Sequence, residues 1–255
     1  MKSIHWQISK SIRSWLPRLQ AHRGYWVGGL PQNTLSSIEK SYDLNYQMVE
    51  FDVRLTADKM VILFHDDTID GLPISKLNFE DIMKLNPVST LEEVCFWLSK
   101  QTEKNFKFNI ELKTSAIFSS TLEKKVSRII QHFKLESQIL ISSFNPLALG
   151  RMRFLCKNVF RALLLTLEEH PRNKWYFRKM IFNFFAKPHA LHLRYEDWTE
   201  KSFAKISKLV PVVLWTYNEL EQKMNLNRHH EISKKLYTDV IHGVISDDIT
   251  PDMNV

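Results

Sequence analysis

The chain has 255 residues, of which 44% are hydrophobic, and this composition excludes an intrinsically disordered or fibrous protein. The net charge of +7 suits nucleic acid, an anionic membrane surface or a phosphate-bearing small ligand, but it equally suits a lysine-rich surface that binds none of them. Two cysteines, Cys95 and Cys156, are too few for a disulfide framework in a chain of this size, so we expect reduced thiols.

Residues 1–18 are predicted to form an amphipathic helix that caps an open end of the core. Its apolar side chains, Ile4, Ile8, Ile12 and Trp15, recur at helical spacing up to Pro17, and adsorption to a membrane is the alternative. Charged residues interrupt this segment, so it does not resemble a secretory signal, and no apolar stretch reaches the roughly 18 residues of a membrane span. We therefore expect a cytoplasmic protein without a transmembrane helix.

Residues 19–255 are predicted to form a single α/β domain, a (β/α)₈ TIM barrel. Short apolar runs alternate with helical patterns along this region, which is typical of parallel strands joined by helices. The predicted strands are Leu19–His22, Met48–Val53, Phe108–Leu112, Gln138–Ser142, Phe160–Leu165, Ala190–Leu193, Val212–Trp215 and Gly243–Ser246.

A ninth apolar run, Met60–Phe64, follows the second strand too closely for a parallel crossover, so we expect an antiparallel hairpin that returns His65 to the barrel mouth. Two helical patterns, Phe79–Leu85 and Thr90–Leu98, then form a small insertion. Four residues are predicted to begin helices, namely Asn33, Asn145, Thr199 and Asn218.

Three carboxylates are predicted to form a metal site at the carboxyl ends of strands, where catalytic groups of such barrels gather. Glu50 and Asp52 point to one side of the second strand because side chains alternate, and Glu111 lies on the next barrel strand. Carboxylates packed this closely need a cation, and oxygen ligands favour Mg²⁺ or Ca²⁺, with Mn²⁺ hard to exclude. Surface carboxylates without a shared partner are the alternative.

Two histidines and two basic residues complete a predicted phosphodiester-cleaving site at the same barrel mouth. His22 and His65 each follow a strand-like run, and cleavage needs one group that removes a proton and one that donates a proton. Arg23 and Lys113 suit phosphate oxygens. A lone histidine is more often structural, but two beside a metal triad favour catalysis.

The motifs resemble those of the glycerophosphodiester phosphodiesterase family over nearly the whole chain, from Gln20 to Pro251. The ordered set is Ala21-His22-Arg23-Gly24, Pro31-Gln32-Asn33-Thr34, Glu50-Phe51-Asp52-Val53, Leu55-Thr56-Ala57-Asp58, His65-Asp66-Asp67, Glu111-Leu112-Lys113, Ser142-Ser143-Phe144, Trp215-Thr216-Tyr217-Asn218 and Gly243-Val244-Ile245-Ser246-Asp247. Each motif alone is weak, whereas the ordered set is highly specific.

The resemblance implies a TIM barrel that hydrolyses glycerophosphodiesters to glycerol 3-phosphate and an alcohol. It implies that His22 and His65 act as the acid/base pair. It also implies that the metal is bound by Glu50, Asp52 and Glu111, and the phosphate by Arg23 and Lys113. Phe144 and Trp215 would line the wall beside the glycerol or the leaving alcohol. Gln32 replaces the usual glutamate, the Ile69–Pro73 loop is short, and Leu209-Val210-Pro211 lacks the usual glycine.

Two alternatives stay open at this point. The first is lysophospholipase D or phospholipase-type cleavage of a lipid at a membrane surface, suggested by the aromatic and basic residues 172–185, although a helical stripe buried against the barrel also explains them. The second is a noncatalytic basic binding module. No aromatic and basic RNA-binding signature is present, so nucleic acid is not expected as a partner. The sequence leaves the oligomeric state open.

Overall fold

Eight parallel strands close into a barrel in the computed structural model, which describes residues 6–9, 11–169, 180–218, 230 and 232–252. Going round the barrel, β1 is followed by β2 and then by β6 to β11, and β11 pairs with β1 again. The strands are β1 (Leu19–His22), β2 (Met48–Leu55), β3 (Val61–Leu63), β4 (Thr68–Ile69), β5 (Leu72–Pro73), β6 (Lys107–Leu112), β7 (Ile139–Ser143), β8 (Phe160–Leu165), β9 (Ala190–Arg194), β10 (Val212–Trp215) and β11 (Gly243–Ser246).

The predicted TIM barrel is confirmed, and each predicted strand bound lies within two residues of the observed one. The strands are almost continuously buried, since helices cover their outer side and side chains fill the barrel. The helices are α1 (Ile12–Trp15), α2 (Leu35–Asp43), α3 (Phe79–Leu85), α4 (Leu91–Lys100), α5 (Thr121–His132), α6 (Pro146–Leu155), α7 (Asn183–Ala186) and α8 (Glu200–Ser207).

The antiparallel excursion after β2 is also confirmed. Strand β3 pairs antiparallel with the end of β2, and the Phe64 N–H donates to the carbonyl of Asp52 at 3.1 Å. The chain returns in this way to the level of the carboxylates, which places His65 at the barrel mouth. A second, smaller hairpin of β4 and β5 was not predicted, and helices α3 and α4 form the expected insertion.

The amino-terminal helix is shorter than predicted. Helix α1 spans Ile12–Trp15 only, and Ile8 lies outside it with 61% of its surface exposed. Ile12 and Leu16 nevertheless pack against inward-facing residues at the amino ends of the strands, including Met48 and Leu140. This segment therefore covers the barrel at the amino ends of the strands. The predicted boundary between the capping segment and the barrel domain at residue 18 stays a prediction. Ile4 lies outside the described residues.

Capping side chains set the beginnings of several helices. Thr34 and Ser37 form a capping box on α2, Asn145 accepts from the Leu147 N–H on α6, and Thr199 accepts from the Ser202 N–H on α8. The predictions for Asn145 and Thr199 are confirmed. Asn33 was wrongly predicted as the cap of α2, because it precedes the cap and adopts a left-handed conformation with φ of 55°.

Only part of the aromatic and basic segment lies within the described residues. Met180 is buried, whereas Ile181 and Phe184 are 43% and 54% exposed, so the predicted stripe is not buried throughout. Residues 170–179 and the helix predicted to begin at Asn218 lie outside the described residues. Of the helices described, none has both the length and the apolar composition needed to cross a bilayer.

Candidate active site

Three buried carboxylates converge at the carboxyl ends of β2 and β6. Glu50 and Asp52 share one side of β2, and Asp52 lies directly beside Glu111 of β6 in the strand register. One oxygen from each carboxylate lies within 4.8 Å of the other two. Glu50, Asp52 and Glu111 are 4%, 1% and 6% exposed, so water solvates these carboxylates only weakly. The predicted cluster is confirmed as a spatial arrangement.

Two cations contact this cluster from the sides. Lys113 Nζ lies 2.8 Å from Glu111 Oε1 and 3.0 Å from Asp52 Oδ1. Arg23 Nε lies 3.4 Å from Asp52 Oδ2, while Arg23 Nη1 donates to Gln32 Oε1 at 2.9 Å. Both predicted phosphate ligands therefore lie at the carboxylates, and Gln32 helps to orient one of them.

The pKa values of the cluster reflect burial and mutual repulsion. Burial, together with Asp52 and Glu111, raises the pKa of Glu50 well above its usual value. Burial also raises the pKa of Glu111, to about 7, although Lys113 opposes this. Burial would raise the pKa of Asp52 as well, but the charges of Lys113 and Arg23 outweigh it and lower that pKa below its usual value. Asp52 thus has two cationic partners and Glu111 has one, so the negative charges of Glu111 and Glu50 are only partly compensated.

The donor set fits a divalent cation. Three carboxylates carry three negative charges and the two cations Lys113 and Arg23 carry two positive charges, which leaves one negative charge in a buried site. Burial raises the pKa of Glu50, and the repulsion from Asp52 and Glu111 that adds to it agrees with this imbalance. Hard divalent cations prefer such oxygen ligands, so Glu50, Asp52 and Glu111 are the residues that would hold one.

His22 is held by a second, smaller hydrogen-bond network. Its Nδ1 lies 2.7 Å from Oδ1 of Asp247, the residue that directly follows β11. Asp247 in turn accepts from Trp26 Nε1 at 3.2 Å and from Asn218 Nδ2 at 2.7 Å. These bonds help to lower the pKa of Asp247 although burial alone would raise it. The arrangement leaves His22 Nε2 directed toward Glu50, 3.9 Å from Oε2.

His65 lies at the same mouth with its own carboxylate partner. Its Nδ1 lies 2.8 Å from Asp66 Oδ1, and its backbone carbonyl accepts from Nε and Nη2 of Arg54 at 3.0 and 2.6 Å. Burial lowers the pKa of His65, and the charge of Lys113 adds to this effect. The lowered pKa favours the neutral ring of His65, which can accept a proton.

One pocket of about 200 Å³ brings together all nine residues predicted for the site. Phe144 directly follows β7 and Trp215 ends β10, and their rings meet edge to face with centroids 5.5 Å apart. They form an apolar part of the lining. The nine residues are His22, Arg23, Glu50, Asp52, His65, Glu111, Lys113, Phe144 and Trp215.

Several residues of the site were not predicted. Asn33 is 4% exposed and donates from Nδ2 to Asp52 Oδ2 at 3.0 Å, while its Oδ1 accepts from the Asp52 N–H at 2.9 Å. Asp247 orients His22, and its position directly after the last strand, next to β1, is the signal that could have revealed it. Deeper in the barrel lies a layer that we name the polar floor, consisting of Gln20, Asn109, Ser142 and His192.

The polar floor also had a sequence signal. Gln20 lies two residues before His22, and Asn109 lies two residues before Glu111, so alternation places each on the same side of its strand as the catalytic-site residue. Polar residues within otherwise apolar strand runs thus mark the inside of the barrel below the carboxylates.

Comparison with known proteins agrees with this geometry. The Glycerophosphoryl diester phosphodiesterase family model matches residues 22–250. A glycerophosphodiester phosphodiesterase of Caldanaerobacter subterraneus is 27% identical over 161 residues, covering 56% of this chain and 65% of that protein. The aligned region thus spans slightly less than two thirds of that relative.

Solved structures agree in fold. The glycerophosphodiester phosphodiesterase of Thermotoga maritima superposes with a TM-score of 0.65 at 24% identity, covering 91% of this chain and 95% of that one. An Oleispira antarctica phosphodiesterase in complex with the product sn-glycerol-3-phosphate superposes with a TM-score of 0.66 at 23% identity, covering 92% of this chain and 94% of that one. Since the family match includes all the motifs that form the pocket, the chain belongs to the glycerophosphoryl diester phosphodiesterase family.

Proposed function

We propose that this protein hydrolyses glycerophosphodiesters to glycerol 3-phosphate and an alcohol, using one divalent cation, Mg²⁺ or Ca²⁺, with Mn²⁺ also suited to the ligands. The observation that carries the proposal is the cluster of three buried carboxylates in one pocket with two imidazoles. The product bound to the Oleispira antarctica phosphodiesterase supports the choice of glycerol 3-phosphate.

The residues have separate tasks in this proposal. Glu50, Asp52 and Glu111 hold the cation, which when bound stabilises the negative charge that develops on the non-bridging phosphate oxygens. Arg23 and Lys113 also attract the phosphate, since both lie at the cluster and a bound divalent cation would turn its single excess negative charge into a net positive one. Electrostatic stabilisation of this kind is usually the largest contribution to catalysis.

The two histidines carry the protons. One of them removes a proton from the nucleophile, which is either water or the neighbouring glycerol hydroxyl, and the other donates a proton to the departing alcohol. Asp247 holds His22 by Nδ1, and Asp66 holds His65 by Nδ1, so in both rings Nε2 is left for the substrate. Phe144 and Trp215 provide an apolar wall for the carbon atoms of the substrate.

The test is hydrolysis of a panel of glycerophosphodiesters and lysophospholipids with Mg²⁺, with Ca²⁺ and with chelator. We expect cation-dependent release of glycerol 3-phosphate, and a decrease in turnover of about 100-fold or more in His22→Ala, by the usual scale of acid/base catalysis. The same decrease is expected for His65→Ala. Near-normal activity of either variant, or full activity in chelator, would reject the corresponding role.

A further inference from the structure

The polar floor contains five buried polar atoms that lack a partner. Its four residues, Gln20, Asn109, Ser142 and His192, are each 0% exposed, and Asn109 Nδ2 donates to Gln20 Oε1 at 2.9 Å. Among the described residues no hydrogen-bond partner exists for Gln20 Nε2, Asn109 Oδ1, Ser142 Oγ or either ring nitrogen of His192. Buried polar atoms are almost always hydrogen-bonded in folded proteins, so this concentration indicates a place built for a small polar occupant.

The polar floor adjoins the carboxylate cluster, and Gln20 and Asn109 extend it toward the amino ends of their strands. In the strand register Asn109 is beside Glu50, and Ser142 is beside Glu111. Asn109, Ser142 and His192 line the same pocket as these carboxylates. Below them the barrel is filled by an apolar layer that includes Leu140. The pocket therefore has a charged upper level and a polar, uncharged lower level.

The chemistry of the polar floor suits a neutral group that both donates and accepts. Gln20 Nε2 offers N–H donors, Asn109 Oδ1 accepts, and Ser142 Oγ can do either. Burial lowers the pKa of His192 to about 3, so its neutral ring has one donor and one acceptor. A hydroxyl group matches this mixture, whereas a phosphate group would find stronger partners in Arg23 and Lys113 above.

We propose that the polar floor is a binding site for neutral hydroxyl groups at the base of the active-site pocket. The hydroxyl groups come either from water held in the barrel or from the polyol end of the substrate. The second source rests on the proposed function, whereas the first does not.

A crystal structure of the wild-type protein grown with free glycerol tests the site itself, independently of any activity. A hydroxyl or water oxygen within hydrogen-bond distance of His192 and Ser142 supports the proposal. A structure in which Ser142 Oγ and both ring nitrogens of His192 bond only to protein groups overturns it. If the protein hydrolyses no glycerophosphodiester, the proposed function is wrong, but the crystal structure still shows whether the polar floor binds a hydroxyl group or water.

Kinetics distinguish the two sources. A glycerophosphodiester is compared with the matching diester of 1,2-propanediol, esterified at its primary hydroxyl, which keeps the hydroxyl next to the phosphate ester and lacks only the terminal one. Both are assayed with wild type, His192→Leu, His192→Gln and Leu140→Met. If the substrate supplies the hydroxyl, His192→Leu reduces the wild-type preference for the glycerol diester about 10-fold, the cost of one buried hydrogen bond. If water supplies it, kcat/KM falls equally for both diesters.

Two variants serve as matched controls. His192→Gln keeps one donor and one acceptor, so it is expected to retain most of the wild-type behaviour. Leu140→Met conserves side-chain volume in the apolar layer below and is expected to leave both rates unchanged. Unchanged rates for both diesters in a folded His192→Leu protein would overturn the proposal, because no hydroxyl would then depend on the ring.

Discussion

Replacing Asp247 with Asn tests how His22 is prepared for proton transfer. The substitution preserves the shape of the side chain but removes its charge, and it can place an amide N–H group opposite His22 Nδ1. The native contact is a short one of 2.7 Å between His22 Nδ1 and Asp247 Oδ1, supported by Asn218 and Trp26. We expect the variant to fold normally and to lose turnover.

The magnitude follows from the type of hydrogen bond. A hydrogen bond to a charged group contributes about 1.5–3 kcal/mol, which corresponds to a decrease of about 10- to 150-fold in kcat. The reason is that Asp247 fixes the tautomer of His22 and stabilises the imidazolium that forms when the ring takes up a proton. Since the described hydrogen bonds of Asp247 do not involve Arg23 or Lys113, the proposed phosphate ligands, KM is expected to change much less than kcat.

The assay is steady-state hydrolysis of a glycerophosphodiester at saturating divalent cation. Trp26→Phe is the matched control, because it removes only the 3.2 Å bond to Asp247 and leaves the carboxylate in place. We expect that control to lose less activity than Asp247→Asn, because Asp247 keeps its charge and its 2.7 Å contact with His22. A folded Asp247→Asn protein within threefold of wild type, about 0.6 kcal/mol, would refute the reasoning.

Three further predictions concern the carboxylate cluster. In metal-free protein the pKa of Glu111 is raised to about 7, so its stabilising contribution is complete below pH 4.5 and is lost as the pH rises through about 7. A divalent cation should therefore raise the melting temperature more at pH 8 than at pH 5, and a gain independent of pH in thermal-shift measurements would contradict this. Asn33→Ala removes two buried hydrogen bonds to Asp52 and should lower the free energy of unfolding by about 1–3 kcal/mol in urea titrations, so an unchanged midpoint would exclude the role. Arg23→Lys cannot contact Asp52 and Gln32 together and should raise KM about 10-fold with a smaller change in kcat, and an unchanged KM would argue against phosphate binding by Arg23.

The sequence was sufficient to predict the barrel fold and the cluster of three carboxylates. Apolar runs at regular intervals predict parallel strands, and the alternation of side chains puts Glu50 and Asp52 on one side of β2. Catalytic groups of a TIM barrel gather at the carboxyl ends of its strands. Local periodicity therefore determines which side chains enter the pocket, and the match to the family at residues 22–250 agrees with it.

Predictions from the local sequence were less reliable where a side chain can serve either of two structural roles. Asn33 is a good helix cap by type, but the structure uses it to bind Asp52, and Thr34 caps α2 instead. The apolar spacing of residues 4–15 predicted one continuous helix, whereas the described helix begins at Ile12. Propensity is weak compared with tertiary contacts, and the buried bonds to Asp52 explain why Asn33 does not cap α2.

The sequence by itself was enough to predict the eight barrel strands, the identities of the three carboxylates and the two histidines, and the family. Only the tertiary structure decided that Asp247 bonds to His22, that Lys113 contacts both Asp52 and Glu111, and that five polar atoms of the floor have no partner among the described residues. The physical reason is distance along the chain. Closing the barrel brings together residues from both ends of the sequence, 225 positions apart for His22 and Asp247, and no local pattern encodes such a contact.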